Sequence, residues 1–226
     1  MAYAPSVQWR LLADVPEEDV RLLLSVARRR TFARGEVVFH EHDLGDSLHL
    51  IVSGHFAITT TTPLGDKVWL AVRGPGDNFG EMAMTRPEAR RTATVTALER
   101  SETFAVYKPE FERLRAQHRA VDTVLISLLV QTVQNLNARL LEALYLSTEQ
   151  RLLRRLCDLA EAYRAADEEI VIPLTQEELA EFVGATRATV NQLLRDEQEQ
   201  GTVELARGQT RIRDLAELER RARRPR

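Results

Sequence analysis

Cysteine is nearly missing from this chain: Cys157 is the single thiol in 226 residues. No disulfide framework is therefore available, and one thiolate cannot hold an iron–sulfur cluster. Cys157 falls in the apolar helical run Leu152, Leu153, Leu156, Cys157, Leu159 and Ala160, where core packing is its expected role. Long apolar runs are missing too. No stretch approaches about 18 consecutive apolar residues, and the amino terminus lacks the basic-then-apolar pattern of a secretion signal, so a soluble cytoplasmic protein with no membrane partner is expected. Surplus positive charge is also absent. The net charge is −3, and from residue 147 onward 14 Arg face 16 Asp plus Glu, so a case for nucleic acid must rest on local arrangement. The five histidines are His40, His42, His49, His55 and His118. His40 and His42 are expected on one strand face, but no third His or Cys falls at ligand spacing, so no metal is expected.

What is present suits two domains: 226 residues and 44% hydrophobic content support real cores. Seven of the ten glycines lie between Gly35 and Gly80. They punctuate runs of strand composition at 37–39, 47–53, 55–60, 68–72, 92–97 and 102–106, with turn signals at Leu64-Gly65-Asp66 and Gly74-Pro75-Gly76-Asp77. An antiparallel barrel or jelly roll, able to hold one small ligand, is predicted. Ahead of it, Trp9 to Leu12 and Val20 to Leu24 suggest helix packed on the barrel.

A short helix is expected at 109–114 and a long one at 121–146. Val121, Leu125, Leu129, Val133, Leu136, Leu140 and Leu144 recur every three or four positions without Gly or Pro. Two readings stand: the stripe meets a second copy of itself in a homodimer, which is the expectation, or the helix covers its own barrel. Ser147 and Gln150 fit a capping box, so a new helix starts there and a hinge falls near Leu146 and Ser147. It runs amphipathic to Tyr163. A polar loop at 165–169 and a strand at 170–173 follow.

The densest stretch runs from Asn78 to Thr94, NFGEMAMTRPEARRTAT. Gly80 lets backbone approach a ligand, a one-turn helix over Glu81 to Met84 points amide donors at an anion, and Pro87 turns the chain back. Glu81 is a candidate acceptor for a hydroxyl, and Arg91 a candidate phosphate clamp. The alternative is a barrel loop with a structural Gly-Glu and an Arg in a surface ion pair. Phe79-Gly80-Glu81 with Arg91-Thr92 eleven residues after the Gly resembles the phosphate-binding cassette of the catabolite activator protein/FNR superfamily. The resemblance covers nearly the whole chain after about thirty residues. It implies that Gly80, Glu81, Met82 and Ala83 form the loop around a cyclic nucleotide, cAMP or cGMP, with Glu81 on the ribose 2′-hydroxyl. Arg91 would take the cyclic phosphate and Thr92 a phosphate oxygen or base edge.

Leu174 to Leu179 forms another capping box, with Thr175 as cap and Glu178 returning the bond. Counting from Gln176, small Ala180 falls fifth, Gly184 ninth, Val190 fifteenth and Leu193 eighteenth, the places where two helices touch and turn. That is a helix-turn-helix pattern; an ordinary helical hairpin is the alternative. With Thr186 as cap, Arg187, Ala188, Asn191, Gln192 and Arg195 lie opposite the buried face, where Arg suits guanine and Asn or Gln adenine. Thr175, Thr186 and Thr189 suit phosphates. Residues 202–213 read as a hairpin turning at Gly208, a wing offering Arg207, Arg211 and Arg213 to phosphates. The tail from Arg220 to Arg226 either adds nonspecific affinity or is a solvated end.

Together these readings give an α+β chain: a cyclic-nucleotide-binding-like sensor at 1–117, a dimerisation helix at 118–146 and a winged helix-turn-helix at 147–226. The resemblance implies a dimeric DNA-binding transcription regulator on a palindromic site, with RNA polymerase as a candidate partner, and no enzyme. The chain departs from the cAMP-responsive pattern on the long helix. Leu136 and Asn137 stand where a Thr followed by Ser or Asn meets adenine, and Leu136 can neither donate nor accept. A regulator of the same fold that is constitutive or answers another ligand is therefore the alternative.

Overall fold

The computed structural model describes residue 9 and residues 16–86, 88–118, 120–164 and 169–223. Pro87, residues 10–12, most of the 165–169 loop and the end of the arginine tail lie outside them. The chain divides into two compact units, Met1–Thr60 with Ala71–Asn137 and Thr61–Leu70 with Ala138–Arg226.

In the amino-terminal half of the chain, helix α1 (Glu17–Ser25) precedes strands β1 (Arg28–Phe32), β2 (Val37–Phe39), β3 (Ser47–Ser53) and β4 (Phe56–Thr61). Strands β5 (Lys67–Arg73), β6 (Asn78–Phe79), β7 (Thr94–Ala97) and β8 (Ser101–Tyr107) complete two four-stranded sheets, ordered β1-β8-β3-β6 and β2-β7-β4-β5. Most predicted strands are present. β1 and the two-residue β6 were not anticipated, because Arg28-Arg29-Arg30 carries no apolar alternation and two residues carry no period. The expectation for His40 and His42 is corrected: β2 ends at Phe39, and His42 has φ 72°, so the two share a turn rather than a strand face.

Alternate residues of β7 turn inward, β3 is buried on both faces from Ser47 to Ile51, and Ile51, Phe56, Val95 and Ala97 are fully buried with Phe32 and Phe79. A second cluster joins Trp9, Leu23, Leu48, Leu50, Val106 and Phe111 to the start of the long helix at Val121, Val124, Leu125 and Leu128. Trp9 donates from Nε1 to the Ile51 carbonyl at 3.1 Å, so it does pack on the barrel as expected. Helix α2 (Lys108–Gln117) follows β8 with Pro109 in its first turn, and α3 (Ala120–Tyr145) is unbroken over 26 residues.

The second unit begins its own helices at α4 (Thr148–Ala162), where Ser147 and Gln150 form the expected capping box. Its buried face is Leu152, Leu153, Leu156, Leu159 and Ala160. Cys157, half-buried beside it, has its thiol pushed up to about 11 by burial and by Glu219, which leaves it an inert packing residue. β9 (Val171–Ile172) joins β10 (Val203–Ala206) and β11 (Gln209–Ile212) in a three-stranded sheet, ordered β10-β11-β9. Helices α5 (Gln176–Val183) and α6 (Arg187–Glu199) form the helix-turn-helix. Gly184 between them has φ 71°, the left-handed conformation that its place in the turn requires. A final helix, α7 (Leu215–Ala222), is capped by Asp214 and buries Leu218 and Ala222. Arg220 and Arg221 belong to this helix rather than to a loose tail. Arg221 pairs with the buried Glu197 at 2.9 Å.

Candidate functional site

The loop after β6 forms because Gly80 sits at φ 88°, which starts a one-turn 3-10 helix, Glu81–Met84. Gly80 has a second role that sequence reasoning did not supply. A Cβ there would lie 2.7 Å from both Arg91 Nη1 and the Ser47 carbonyl, so the missing side chain makes room for the arginine. Gly45 makes a similar approach from the facing loop, where a Cβ would meet Ala83 Cβ at 2.2 Å. The two loops are sewn together: Gly45 N donates to Ala89 O, Arg91 N to Asp43 O and His42 N to Arg91 O, each at 2.9 Å.

Arg91 is 3% exposed. Its Nη1 donates to Ser47 O at 2.7 Å and Gly80 O at 3.3 Å, and its Nη2 to Asp46 Oδ1 at 2.8 Å and Ser47 Oγ at 3.0 Å. The guanidinium lies 3.8 Å above the Phe39 ring. Burial lowers its pKa from the ordinary arginine value, while the Asp46 carboxylate opposes that shift. Arg91 Nε is also buried, and it has no hydrogen-bond partner among the described residues. The surface ion pair considered for Arg91 is thus half right: Asp46 is exposed but Arg91 is not. Ser47 passes the network inward, its Oγ lying 3.1 Å from His49 Nε2, with His49 Nδ1 3.0 Å from Thr103 Oγ1. The His49 ring stacks on Phe79 at 4.8 Å, and its pKa is pushed down to about 3 by burial first and then by Arg91.

Glu81 faces α3. Its Oε1 accepts from Thr132 Oγ1 at 3.2 Å and its Oε2 from Asn78 Nδ2 at 3.4 Å. The Glu81 carboxylate opens onto a small polar cleft between the loops and α3, lined also by Arg73, Asp77, Gln131, Thr132 and Asn135. The structure therefore gathers Gly80, Glu81, Met82, Ala83 and Arg91 into one loop pair, with Ala83 buried and Met82 and Thr92 exposed. It does not bring Leu136 or Asn137 into the cleft of this chain. Both are exposed on α3. Thr132, Asp46 and Ser47 were missed, because an isolated hydroxyl or carboxylate carries no signal until the fold places it beside the cassette.

In the second unit, α6 starts at the Thr186 cap, whose Oγ1 accepts from Thr189 N at 3.2 Å. Val190 and Leu194 are fully buried, whereas Leu193, expected to bury the helix, is only half so. Arg187, Ala188, Thr189, Gln192 and Arg195 are exposed along the outer face, and Asn191 is half-buried. Gln192 Nε2 donates to Asp196 Oδ1 at 2.8 Å. Thr175 Oγ1 accepts from Glu178 N at 3.2 Å, so its hydroxyl closes a capping box. In the wing, Arg213 pairs with Glu204 and Glu169, and Arg211 lies 3.6 Å from Glu204. Arg207, at the hairpin turn, is exposed.

A barrel whose glycine-rich loop closes over an arginine, followed by a long helix and a winged helix-turn-helix, defines a sensor joined to a DNA-reading head. The comparisons agree. Residues 29–118 match the cyclic nucleotide-binding domain, and residues 150–221 match the Crp-like helix-turn-helix domain. The chain is 32% identical over 212 residues to the cyclic AMP receptor protein of Thermus thermophilus, covering 92% of this chain and 94% of that one. It is 30% identical over 195 residues to the CRP-like cAMP-activated global transcriptional regulator of Mycobacterium tuberculosis, covering 85% and 87%. The crystal structure of the Thermus thermophilus catabolite activator protein is similar at 29% identity and TM-score 0.53, over 94% of this chain and 97% of that one. The chain belongs to the CRP/FNR family of transcription regulators, a non-enzymatic family with a DNA-binding helix-turn-helix.

Proposed function

We propose that this regulator is a cytoplasmic homodimer gated by a cyclic nucleotide, cAMP or cGMP, bound in the barrel, and that it reads a palindromic DNA site. The sensor would span 1–117, the dimerisation helix 118–146 and the reading head 147–226. The observation that carries this reading is Arg91 Nε, a buried donor without a hydrogen-bond partner among the described residues, beside the Gly80–Glu81 loop. Such an atom costs free energy unless an acceptor reaches it, and a phosphate oxygen is an acceptor of the right charge. Glu81 would accept the ribose 2′-hydroxyl, Gly80, Met82 and Ala83 would shape the loop, and Thr92 would flank the phosphate. Leu136 and Asn137 would meet the ligand or the second copy. The Mycobacterium tuberculosis relative is a cAMP-activated regulator and the Thermus thermophilus relative a cyclic AMP receptor protein, which supports cAMP among the candidates.

DNA would be met by Arg187, Ala188, Asn191, Gln192 and Arg195 in the major groove, with Thr175, Thr186, Thr189, Arg207 and Arg211 toward phosphates. Ligand can act only by favouring one arrangement of the heads over another. Thr132 gives a physical link, because one hydroxyl on the dimerisation helix touches the carboxylate that would hold the ribose.

A constitutive regulator is the second reading. It is favoured by Asp46 and Ser47, which already satisfy both terminal nitrogens of Arg91. Calorimetric titration with cAMP and with cGMP separately, with Arg91→Ala as control, separates the two. Heat that vanishes in the variant supports gating; no heat and no thermal stabilisation with either nucleotide supports the constitutive reading.

A further inference from the structure

We propose that Arg73, with Gln131 and Asn135, reads the base of the bound nucleotide, and that Arg73 biases the site toward guanine over adenine. The proposal rests on the cyclic-nucleotide reading above and names the recognition edge of that same site.

Arg73 is the last residue of β5 and is half-buried, and Gln131 and Asn135 lie one turn apart on α3. All three line the cleft onto which Glu81 opens. Their neighbours there are committed elsewhere. Asp77 Oδ2 accepts from Gly74 N at 3.0 Å, Asn78 donates to Glu81, and so does Thr132. Among the described residues, the side chains of Arg73, Gln131 and Asn135 have no hydrogen-bond or ion-pair partner. The cleft thus presents a guanidinium and two amides that no described residue uses.

With the ribose at Glu81, the base would lie within reach of this cleft, onto which that carboxylate opens. Leu136 and Asn137 lie outside the lining, so recognition within one chain falls to the groups inside it. A guanidinium is a fork of donors with no acceptor. Guanine presents O6 and N7 as adjacent acceptors that match the fork, whereas adenine places an amino donor beside N7 and opposes it. Carboxamides at Gln131 and Asn135 can donate and accept, so they suit the remaining edge of either purine without deciding between them.

The test is competitive calorimetry on the full chain with cAMP, cGMP and cyclic inosine monophosphate, which keeps O6 and N7 but lacks the guanine amino group. Arg73→Ala is expected to reduce the cGMP-to-cAMP affinity ratio about tenfold, the size of one good bidentate base contact. Cyclic inosine monophosphate should lose affinity alongside cGMP. Arg73→Gln, which keeps most of the side-chain stem, should act in the same direction and serves where the alanine variant folds poorly. A ratio within twofold of the parent's in the folded variant overturns the proposal alone, provided Arg91→Ala still abolishes binding. A parent protein that binds none of the three overturns this proposal and the nucleotide reading together.

Discussion

His49 ties the candidate site to the pH response of the fold. Its folded pKa of about 3 lies below the ordinary 6.5, since burial and the positive charges of Arg91 and Arg30 all oppose protonation. Between those two values the unfolded chain binds the extra proton and the folded chain does not. The contribution of the neutral ring is therefore complete above pH 6.5 and is lost as pH falls toward 3. One such group changes stability by at most about 1.4 kcal/mol per pH unit in that window. Glutamine at this position keeps a polar group for Ser47 and Thr103 but cannot titrate, so H49Q should show a shallower fall in melting temperature from pH 7 to 4. Parallel curves for the two proteins would remove His49 from the acid response. Gly80→Ala is the complementary test. A left-handed φ of 88° and a Cβ 2.7 Å from the Ser47 carbonyl act together, since backbone cannot swing aside. The left-handed conformation alone should cost about 1–2 kcal/mol in urea unfolding, and nucleotide binding should weaken with the displacement of Arg91.

At the scale of elements, the recognition helix depends on one face. Val190 and Leu194 are both 0% exposed, so Leu194→Ala should destabilise the protein by roughly 2–5 kcal/mol in urea unfolding. Thr186→Ala, which removes only the cap, should cost about 1 kcal/mol. If the two cost the same, the packing assigned to α6 is wrong. These helices were legible in the sequence because caps and apolar spacing are local: Ser147, Thr175 and Thr186 each announce a start, and the structure has a helix after each. β1 was not legible, since Arg28, Arg29 and Arg30 are exposed on a strand held by its pairing with β8. α7 was missed for another reason. Its arginines read as a charged end, and only burial of Leu218 and the Arg221–Glu197 pair make them part of a packed helix. The cassette was readable from Gly80 to Arg91, but its supports were not. Asp46, Ser47 and Thr132 lie 45, 44 and 41 residues from Arg91, and no local period links them.

At the scale of the whole molecule the decisive feature is α3, whose Ile126, Val130, Val133, Leu136, Leu140, Leu141, Leu144 and Tyr145 are each at least half exposed. A monomer in water rarely leaves so long an apolar stripe uncovered. The helix is also long and apolar enough to cross a membrane by length and composition alone, because its polar residues are mostly uncharged amides and hydroxyls. Spacing favours a second helix as the cover. Ile126, Val130, Val133, Asn137, Leu140 and Leu144 alternate in steps of four and three, the seam of a two-stranded coil. Asn137 would then be the single polar residue in that seam, where a buried amide fixes register at some cost in stability. Leu140→Glu with Leu144→Glu places four carboxylates in a symmetric contact and should yield monomer by sedimentation equilibrium at micromolar concentration, with specific DNA binding lost. Asn137→Leu should do the reverse, tightening association while loosening its register. A parent protein that sediments as a monomer, without detergent and with α3 still exposed, would refute the paired helix.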